Sequence, residues 1–375
     1  MVDSGGMAAP ADRWSLMALA VSSAGLVHLW VSVQALHYSD FVMFYTSVEA
    51  LLQGRPAYEP HVLVDGLWWN MNPPQFHLLM IPLARLTLPT AVQVFRVANA
   101  LALIVSVSLL FSIDELRSRR GGWLIAAALT CPGLVMALGA GQNAGLLALL
   151  FTIGWKAIDR SRWISAGVIV GLACAIKPIF LPVVLWLMFA RQWKAAAAAV
   201  AAAVFLVGAA VAVWGWTPQT DWLRAIGAVT WFDSRFNASW PGLVQRFVSG
   251  ATVLSYRTIA AVSGALSILV AAWAARLEPC EALTKCLVAS VVVSPLGWVY
   301  YLPVAGPLLM RRAYDGASWP VGAWLLWVPL PFVSQVNAPF LIRTTLSSVY
   351  AWGMLALSLA GPRRGGSEHT IGEAR

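Results

Sequence analysis

The chain has 375 residues, 59% of them hydrophobic and 11% charged, and 25 Lys and Arg against 16 Asp and Glu give a formal net charge of +9. A soluble domain carries roughly 25% charged residues because its surface faces water, so this composition, with a mean hydropathy of +0.73, excludes a water-soluble protein and indicates a polytopic membrane protein. The cations stand in short runs between apolar segments, as at Arg117, Arg119 and Arg120, then Arg160 and Arg162, then Arg191 and Lys194; that is the pattern of cytoplasmic loops and not of a nucleic-acid-binding surface.

Arg13 places the N-terminus inside, ahead of a first helix over 14–36 that is too long for a signal-peptide core and lacks an obvious cleavage site. This helix delivers His37-Tyr38-Ser39-Asp40 to the outer surface. The next helix, 91–111, ends at the inner cation run 117–120, so parity allows no crossing between 37 and 90. That whole stretch is one outer loop, and the mainly apolar stretch of 11 residues from Phe76 to Leu86 forms an interfacial or re-entrant piece. Helices 122–139 and 143–158 make a hairpin with Gly141-Gln142-Asn143 at its outer turn. Segment 164–190 has cations at both ends and therefore goes out and returns, with its apex at Lys177-Pro178, where proline deprives the helix of a donor. Helix 195–216 leads to a second outer loop, 217–250, and 251–275 returns to Arg276. Segment 283–310 again goes out and back, broken at Ser294-Pro295-Leu296-Gly297-Trp298. Helices 318–335 and 341–360 bring the chain to Arg363-Arg364. The expectation is an all-α polytopic membrane protein of about twelve membrane-entering helices. It forms one multi-pass domain, 1–361, with a disordered cytoplasmic tail, 362–375, and no internal repeat.

Cation parity, applied without regard to content, gathers Asp40, Gln142, Asn143, Lys177, Asn237 and the break at 294–301 on one face. A carboxylate at that boundary serves as a helix N-cap, as a catalytic group, or as both. Lys177 sits between apolar runs beside a proline and reads either as a snorkelling cation or as a phosphate contact; Arg246 offers the same choice between a solvated arginine and a second phosphate contact. Gln142 and Asn143 could simply close a turn. Trp68 to Pro74 reads as a rigid loop, and tryptophans such as Trp14, Trp155, Trp193 and Trp216 read as interfacial anchors. Histidines and cysteines show no metal-ligand spacing, and no Walker loop, dinucleotide fingerprint or nucleophile elbow is present. No metal or cofactor is expected.

The run from Asp40 to Pro60, an acid followed by aromatics and then Ala50-Leu51-Leu52-Gln53-Gly54-Arg55-Pro56-Ala57-Tyr58, resembles the first outer loop of family 87 glycosyltransferases. Those are multi-pass enzymes of the C-type fold that use polyprenyl-phosphate sugars. Asn72-Pro73-Pro74, Gly141-Gln142-Asn143, Lys177-Pro178, Asn237 to Arg246 and Ser294-Pro295 to Trp298 resemble further landmarks of that family, in the same order, over roughly 13–360. The resemblance implies Asp40 as the base that deprotonates an acceptor hydroxyl, inversion at the anomeric carbon, and mannosyl or, in some members, arabinofuranosyl transfer. One departure stands out: where the family often carries a histidine, this chain has Val299-Tyr300-Tyr301, and tyrosine does not titrate near neutrality. This bears on how the leaving group, and with it the sugar, is handled.

The expected protein is thus an inverting transferase of the cell membrane with both termini cytoplasmic and its site outside. Asp40 is its base, and Lys177 and Arg246 hold the donor phosphate; Tyr45, Gln142, Asn143, Asn237 and Tyr300 contact substrate. Its partners are a polyprenyl-phosphate-linked sugar, a lipid- or glycan-linked acceptor and membrane lipids. The alternative is a carrier or flippase for a lipid-linked sugar, which should show repeated halves and charged groups near the bilayer midplane.

Overall fold

A computed structural model describes residues 13–35, 39–59, 61–63, 66–248, 254–329 and 339–359. The tail expected at 362–375, together with His37 and Tyr38, lies outside the described residues. Helix α1 (Arg13–Ala35) leaves Leu19, Val27 and Trp30 more than half exposed, as a lipid-facing helix does. By contrast α2 (Ser39–Leu52) is buried along Phe41, Phe44, Tyr45 and Val48. A two-stranded antiparallel hairpin follows, β1 (His61–Leu63) with β2 (Gly66–Trp68), and then the short α3 (Pro74–Leu78). The stretch 76–86 is divided between α3 and a 3-10 turn at Leu83–Arg85 and does not cross.

Helix α4 (Leu88–Leu110) crosses, and α5 (Ile113–Arg117) starts in a reciprocal capping box of Ser112 and Glu115. The single helix expected over 122–139 is two, α6 (Arg119–Leu129) and α7 (Pro132–Ala140), bent by 51°. Pro132 cannot donate into the preceding turn, and the helix breaks there. Helix α8 (Ala144–Asp159) completes that hairpin, and 164–190 divides into α9 (Trp163–Ile176) and α10 (Leu181–Phe189) at Lys177-Pro178. Helix α9 lies against α11 (Trp193–Trp214) so closely that a Cβ on Gly167 or Gly171 would stand 2.1 Å from the carbonyl oxygen of Ala195 or Ala199. Small residues four apart let the two backbones meet.

The second outer loop contains two helices that periodicity did not flag, α12 (Thr217–Gly227) and α13 (Trp240–Val248). Helices α14 (Tyr256–Ala274), α15 (Pro279–Val293) and α16 (Leu302–Tyr314) follow, the last two flanking the break at 294–301. A helix over 318–335 is not what forms: Val321–Trp327 is a 3-10 helix entered from Pro320, and 330–335 lie outside the described residues. Helices α17 (Phe340–Thr344) and α18 (Val349–Ser358) make the last span. Among the described residues five helical stretches are long and apolar enough to cross a membrane, or six if the bent pair α6–α7 is one span. Elements such as α9 and α10 are too short to cross alone, so fewer than the twelve expected membrane-entering helices are full-length spans.

One end of the bundle collects the cations. Arg311 pairs with Glu115 at 2.8 Å and Asp315 at 2.6 Å, Arg312 with Glu281 at 2.7 Å, and Arg120 donates to the carbonyl of Ala313. Ends that parity assigned to one side thus meet there. Asp40, Gln142, Asn72 and Lys177 meet at the other.

Candidate functional site

Because α2 begins at Ser39, Asp40 lies in its first turn, half-buried, and is not at the N-cap position. Gln142 Nε2 donates to Asp40 Oδ2 at 2.7 Å. That pairing depends on the turn ending α7, where Gly141 adopts φ +75° with its Cα facing Phe41; a Cβ there would stand 2.5 Å from the Cβ of Phe41. Only glycine combines that conformation with that approach. Burial raises the Asp40 pKa above the ordinary aspartate value, and the Gln142 hydrogen bond and the charge of Lys177 only partly offset it. A carboxylate so placed holds a proton more readily than one in water.

Asn143 occupies the N-cap position of α8 but does not cap it. Asn99, from α4, takes that role: its Oδ1 accepts from the backbone N–H groups of Gly145 at 3.0 Å and Leu146 at 3.2 Å. Among the described residues, both amide atoms of Asn143 and Oε1 of Gln142 are buried with no hydrogen-bond partner. Such atoms are uncommon in native interiors and call for an explanation.

Lys177 is buried at the α9–α10 break, with Nζ donating to Asn72 Oδ1 and standing 5.2 Å from the centre of the Tyr301 ring. The lysine's partner is itself tightly held. Asn70 Oδ1 accepts from the backbone N–H of Asn72 at 2.9 Å and from its side-chain amide at 3.3 Å, and Tyr58 donates to the Asn72 carbonyl at 2.9 Å. Asn70 Nδ2 lies 2.6 Å from His77 Nε2; burial pushes His77 down to about 3, so it is neutral and accepts there. From the sequence, this stretch reads as a rigid aromatic loop carrying the landmark Asn72-Pro73-Pro74, with no role for Asn70 or His77. Its signal was a set of amides and a histidine, Asn70, Asn72, Gln75 and His77, within eight residues flanking two prolines.

Asn237 and Arg246 are brought together, but as scaffold. Arg246 is fully buried, donating from Nε to Ser348 Oγ at 2.7 Å and from Nη1 to the carbonyls of Ser234 at 2.7 Å and Asn237 at 3.1 Å. Burial lowers it to about 10, so it stays charged. Asn237 Oδ1 accepts from Ser239 Oγ at 2.7 Å and from the backbone N–H of Gly297 at 3.0 Å, while Nδ2 donates to the Phe232 carbonyl. The pair thus ties the second outer loop to the break at 294–301. Tyr45 is likewise engaged, its hydroxyl donating to the Leu86 carbonyl at 2.7 Å. Tyr300 joins a stack in which Trp231, Trp298 and Tyr300 follow at 5.6 and 5.7 Å and Tyr301 meets Tyr300 edge-on at 5.0 Å. Trp231 and Trp298 are therefore not interfacial anchors. Among the described residues no group of three or more His, Cys, Asp or Glu could hold a metal ion.

The model of glycosyltransferase family 87 matches residues 70–295, more than half of the chain; Asp40 precedes that segment. The chain is 26% identical over 350 residues to an alpha-(1->3)-arabinofuranosyltransferase of Corynebacterium glutamicum, covering 84% of this chain and 78% of that protein. It is also 26% identical over 211 residues, 55% of this chain, to polyprenol-phosphate-mannose-dependent alpha-(1-2)-phosphatidylinositol pentamannoside mannosyltransferases. These come from Mycobacterium tuberculosis and Mycolicibacterium smegmatis, and the match spans 49% and 46% of their lengths, about half of each. No solved structure matches the chain.

Proposed function

The chain belongs to glycosyltransferase family 87, and we propose that it is an inverting transferase that moves a sugar from a polyprenyl-phosphate donor to a lipid- or glycan-linked acceptor. In this reading the site opens on the outer face of the cell membrane, both termini are cytoplasmic, and residues 1–361 form one catalytic domain of the C-type fold. Mannose is the first sugar to test, since two relatives are named for polyprenol-phosphate-mannose; the relative matched over the greater length is named for arabinofuranose.

The observation that carries the reading is the meeting of Asp40, fixed at 2.7 Å by Gln142, with the charge of Lys177. Three elements remote in sequence converge there, α2, the α7–α8 turn and the α9–α10 break. Asp40, ionised, accepts the proton of the acceptor hydroxyl as its oxygen forms the new bond to the anomeric carbon. The bond from that carbon to the phosphate oxygen breaks, and polyprenyl phosphate departs with the electron pair. Lys177, held by Asn72, neutralises the charge developing on that phosphate, an interaction worth a few kcal/mol in a water-poor site. Asn143 and the free oxygen of Gln142 offer a donor and two acceptors to sugar hydroxyls. The stacked Trp298 and Tyr300 supply an apolar wall, and Arg246 and Asn237 hold that wall in place without touching the donor.

Purified protein in nanodiscs should transfer from polyprenyl-phosphate mannose or polyprenyl-phosphate arabinofuranose and ignore GDP- and UDP-sugars. Efficient transfer from a soluble nucleotide sugar would overturn the donor assignment, and movement of the intact lipid-linked sugar across the membrane without transfer would favour a carrier.

A further inference from the structure

Two cavities that the proposed chemistry does not use lie along α6, one at the cation-bearing end of the bundle and one reaching from there to Leu302 and Pro303, beside Tyr301. One, of about 310 Å³, lies between α4, α6, α7 and α16, and its wall, with Leu103, Leu134 and Met310, is almost wholly apolar. The other, of about 830 Å³, opens between α1, α6 and the 3-10 helix 321–327 and includes Arg119, Arg120, Trp123 and Trp324. Leu124, Ala127, Trp319 and Trp327 line both, so the two form one passage with a cationic, aromatic mouth and an apolar interior. Arg119 lies 4.7 Å above the Trp14 ring, and Arg120 has one guanidinium nitrogen bonded to the Ala313 carbonyl; among the described residues neither forms a salt bridge. An open apolar groove leaves its walls short of contact partners unless something fills it, and the solvent around the apolar flank of a membrane protein is lipid.

We propose that the passage holds one anionic phospholipid of the leaflet on the cation-bearing side, its phosphate on Arg119 and Arg120 and one acyl chain threaded past Leu124 and Ala127 into the cavity. Charge decides the headgroup: basic pockets between helices select anionic lipids, whereas a zwitterionic headgroup brings its own cation to the arginines. Shape decides the chain. The passage leads from a mouth lined by Trp123, Trp319, Trp324 and Trp327 to an apolar slot. The inference rests on the membrane reading of the chain and is independent of which sugar is moved.

Native mass spectrometry of the purified protein with added phosphatidylglycerol or phosphatidylcholine tests it. One phosphatidylglycerol should be retained in preference to phosphatidylcholine. Replacing both arginines, Arg119→Gln with Arg120→Gln, should weaken phosphatidylglycerol by about thirtyfold and leave phosphatidylcholine unchanged. Gly306 lines the apolar cavity, and a Cβ on it meets nothing within 4 Å; Gly306→Leu fills the slot and should weaken both lipids. Equal retention of the two lipids by the parent, or parental binding by both variants, would overturn the proposal. So would displacement of phosphatidylglycerol by polyprenyl phosphate with the arginines dispensable, which would give the cavity to the donor's chain. The arginine variants lie on the exposed surface, so the test stands even if Gly306→Leu fails to fold.

Discussion

Replacing Gly141 by alanine probes the joint on which the Asp40–Gln142 contact depends. An L-residue held in the left-handed region costs about 1–2 kcal/mol. The added methyl would also stand 2.5 Å from the Cβ of Phe41, which is fully buried and packs its ring against Phe95 at 5.0 Å. Overpacking of a filled core costs a further 1–3 kcal/mol, roughly. Gly54 provides the internal control: its φ is +67°, and a Cβ there meets nothing within 4 Å, so Gly54→Ala carries the backbone cost alone. The expected destabilisations are about 2–5 kcal/mol for Gly141→Ala and about 1–2 kcal/mol for Gly54→Ala. Phe41 adjoins Asp40, so relieving the clash moves the first turn of α2 and lengthens the 2.7 Å bond to Gln142. Transfer should then fall at least tenfold or so in Gly141→Ala, since a displacement of about 1 Å can cost a hundredfold in rate, and stay near parental in Gly54→Ala. Unfolding midpoints for the two variants in one detergent at one scan rate, alongside transfer from the lipid donor, decide the matter. Equal midpoints with equal activities would refute the claim that the turn holds the carboxylate in place.

Asp40→Asn preserves size and leaves Gln142 an acceptor, so it should melt nearly as the parent does while transfer falls by a factor of about 100 or more; near-parental turnover would remove Asp40 from the chemistry. The base works ionised and its pKa is raised by burial, so transfer should fail as pH drops through a value above 3.8, the ordinary one. The charge of Lys177 lowers the Asp40 pKa, so Lys177→Met should move that acid limb to higher pH as well as weaken use of the lipid donor; an unmoved limb would separate the two residues. With Cys131, Cys174, Cys280 and Cys286 replaced, single cysteines at 177, 237 and 296 should become reactive to an impermeant thiol reagent from outside in sealed cells when mild urea loosens the protein without opening the membrane, and one at 161 should not; labelling of 177 from the cytoplasmic side alone would reverse the hairpin.

Cation runs and prolines made much of the fold legible. Arg117 to Arg120 and Arg311-Arg312 marked ends that ion pairs join, and Lys177-Pro178 and Ser294-Pro295 marked true helix breaks. Segment 318–335 misled because its apolar residues conceal Pro320, Gly322 and Pro329, which disfavour a continuous α-helix. Helices α12 and α13 are amphipathic, but at 11 and 9 residues each is short and sits inside a loop between two apolar spans, where the search for crossing segments passes over it. At the site, residue type announced Asp40 and Lys177, while the partners of each were hidden by distance: Asn72 is 105 residues from Lys177 and Gln142 is 102 from Asp40. Arg246 was read as a ligand contact because sequence shows the charge but not the carbonyls that enclose it.

The start of α8 is held from α4, by Asn99, and this separates two duties that one residue usually combines. Position 143 has been relieved of supporting its own helix, so an exchange there leaves the cap of α8 intact while changing what the turn presents. An exchange at 143 therefore alters what the turn presents to the sugar without first costing the helix, whereas an exchange at 99 uncaps α8 and costs stability before anything else. Libraries built to alter the transferred sugar can include 143 and should leave 99 alone.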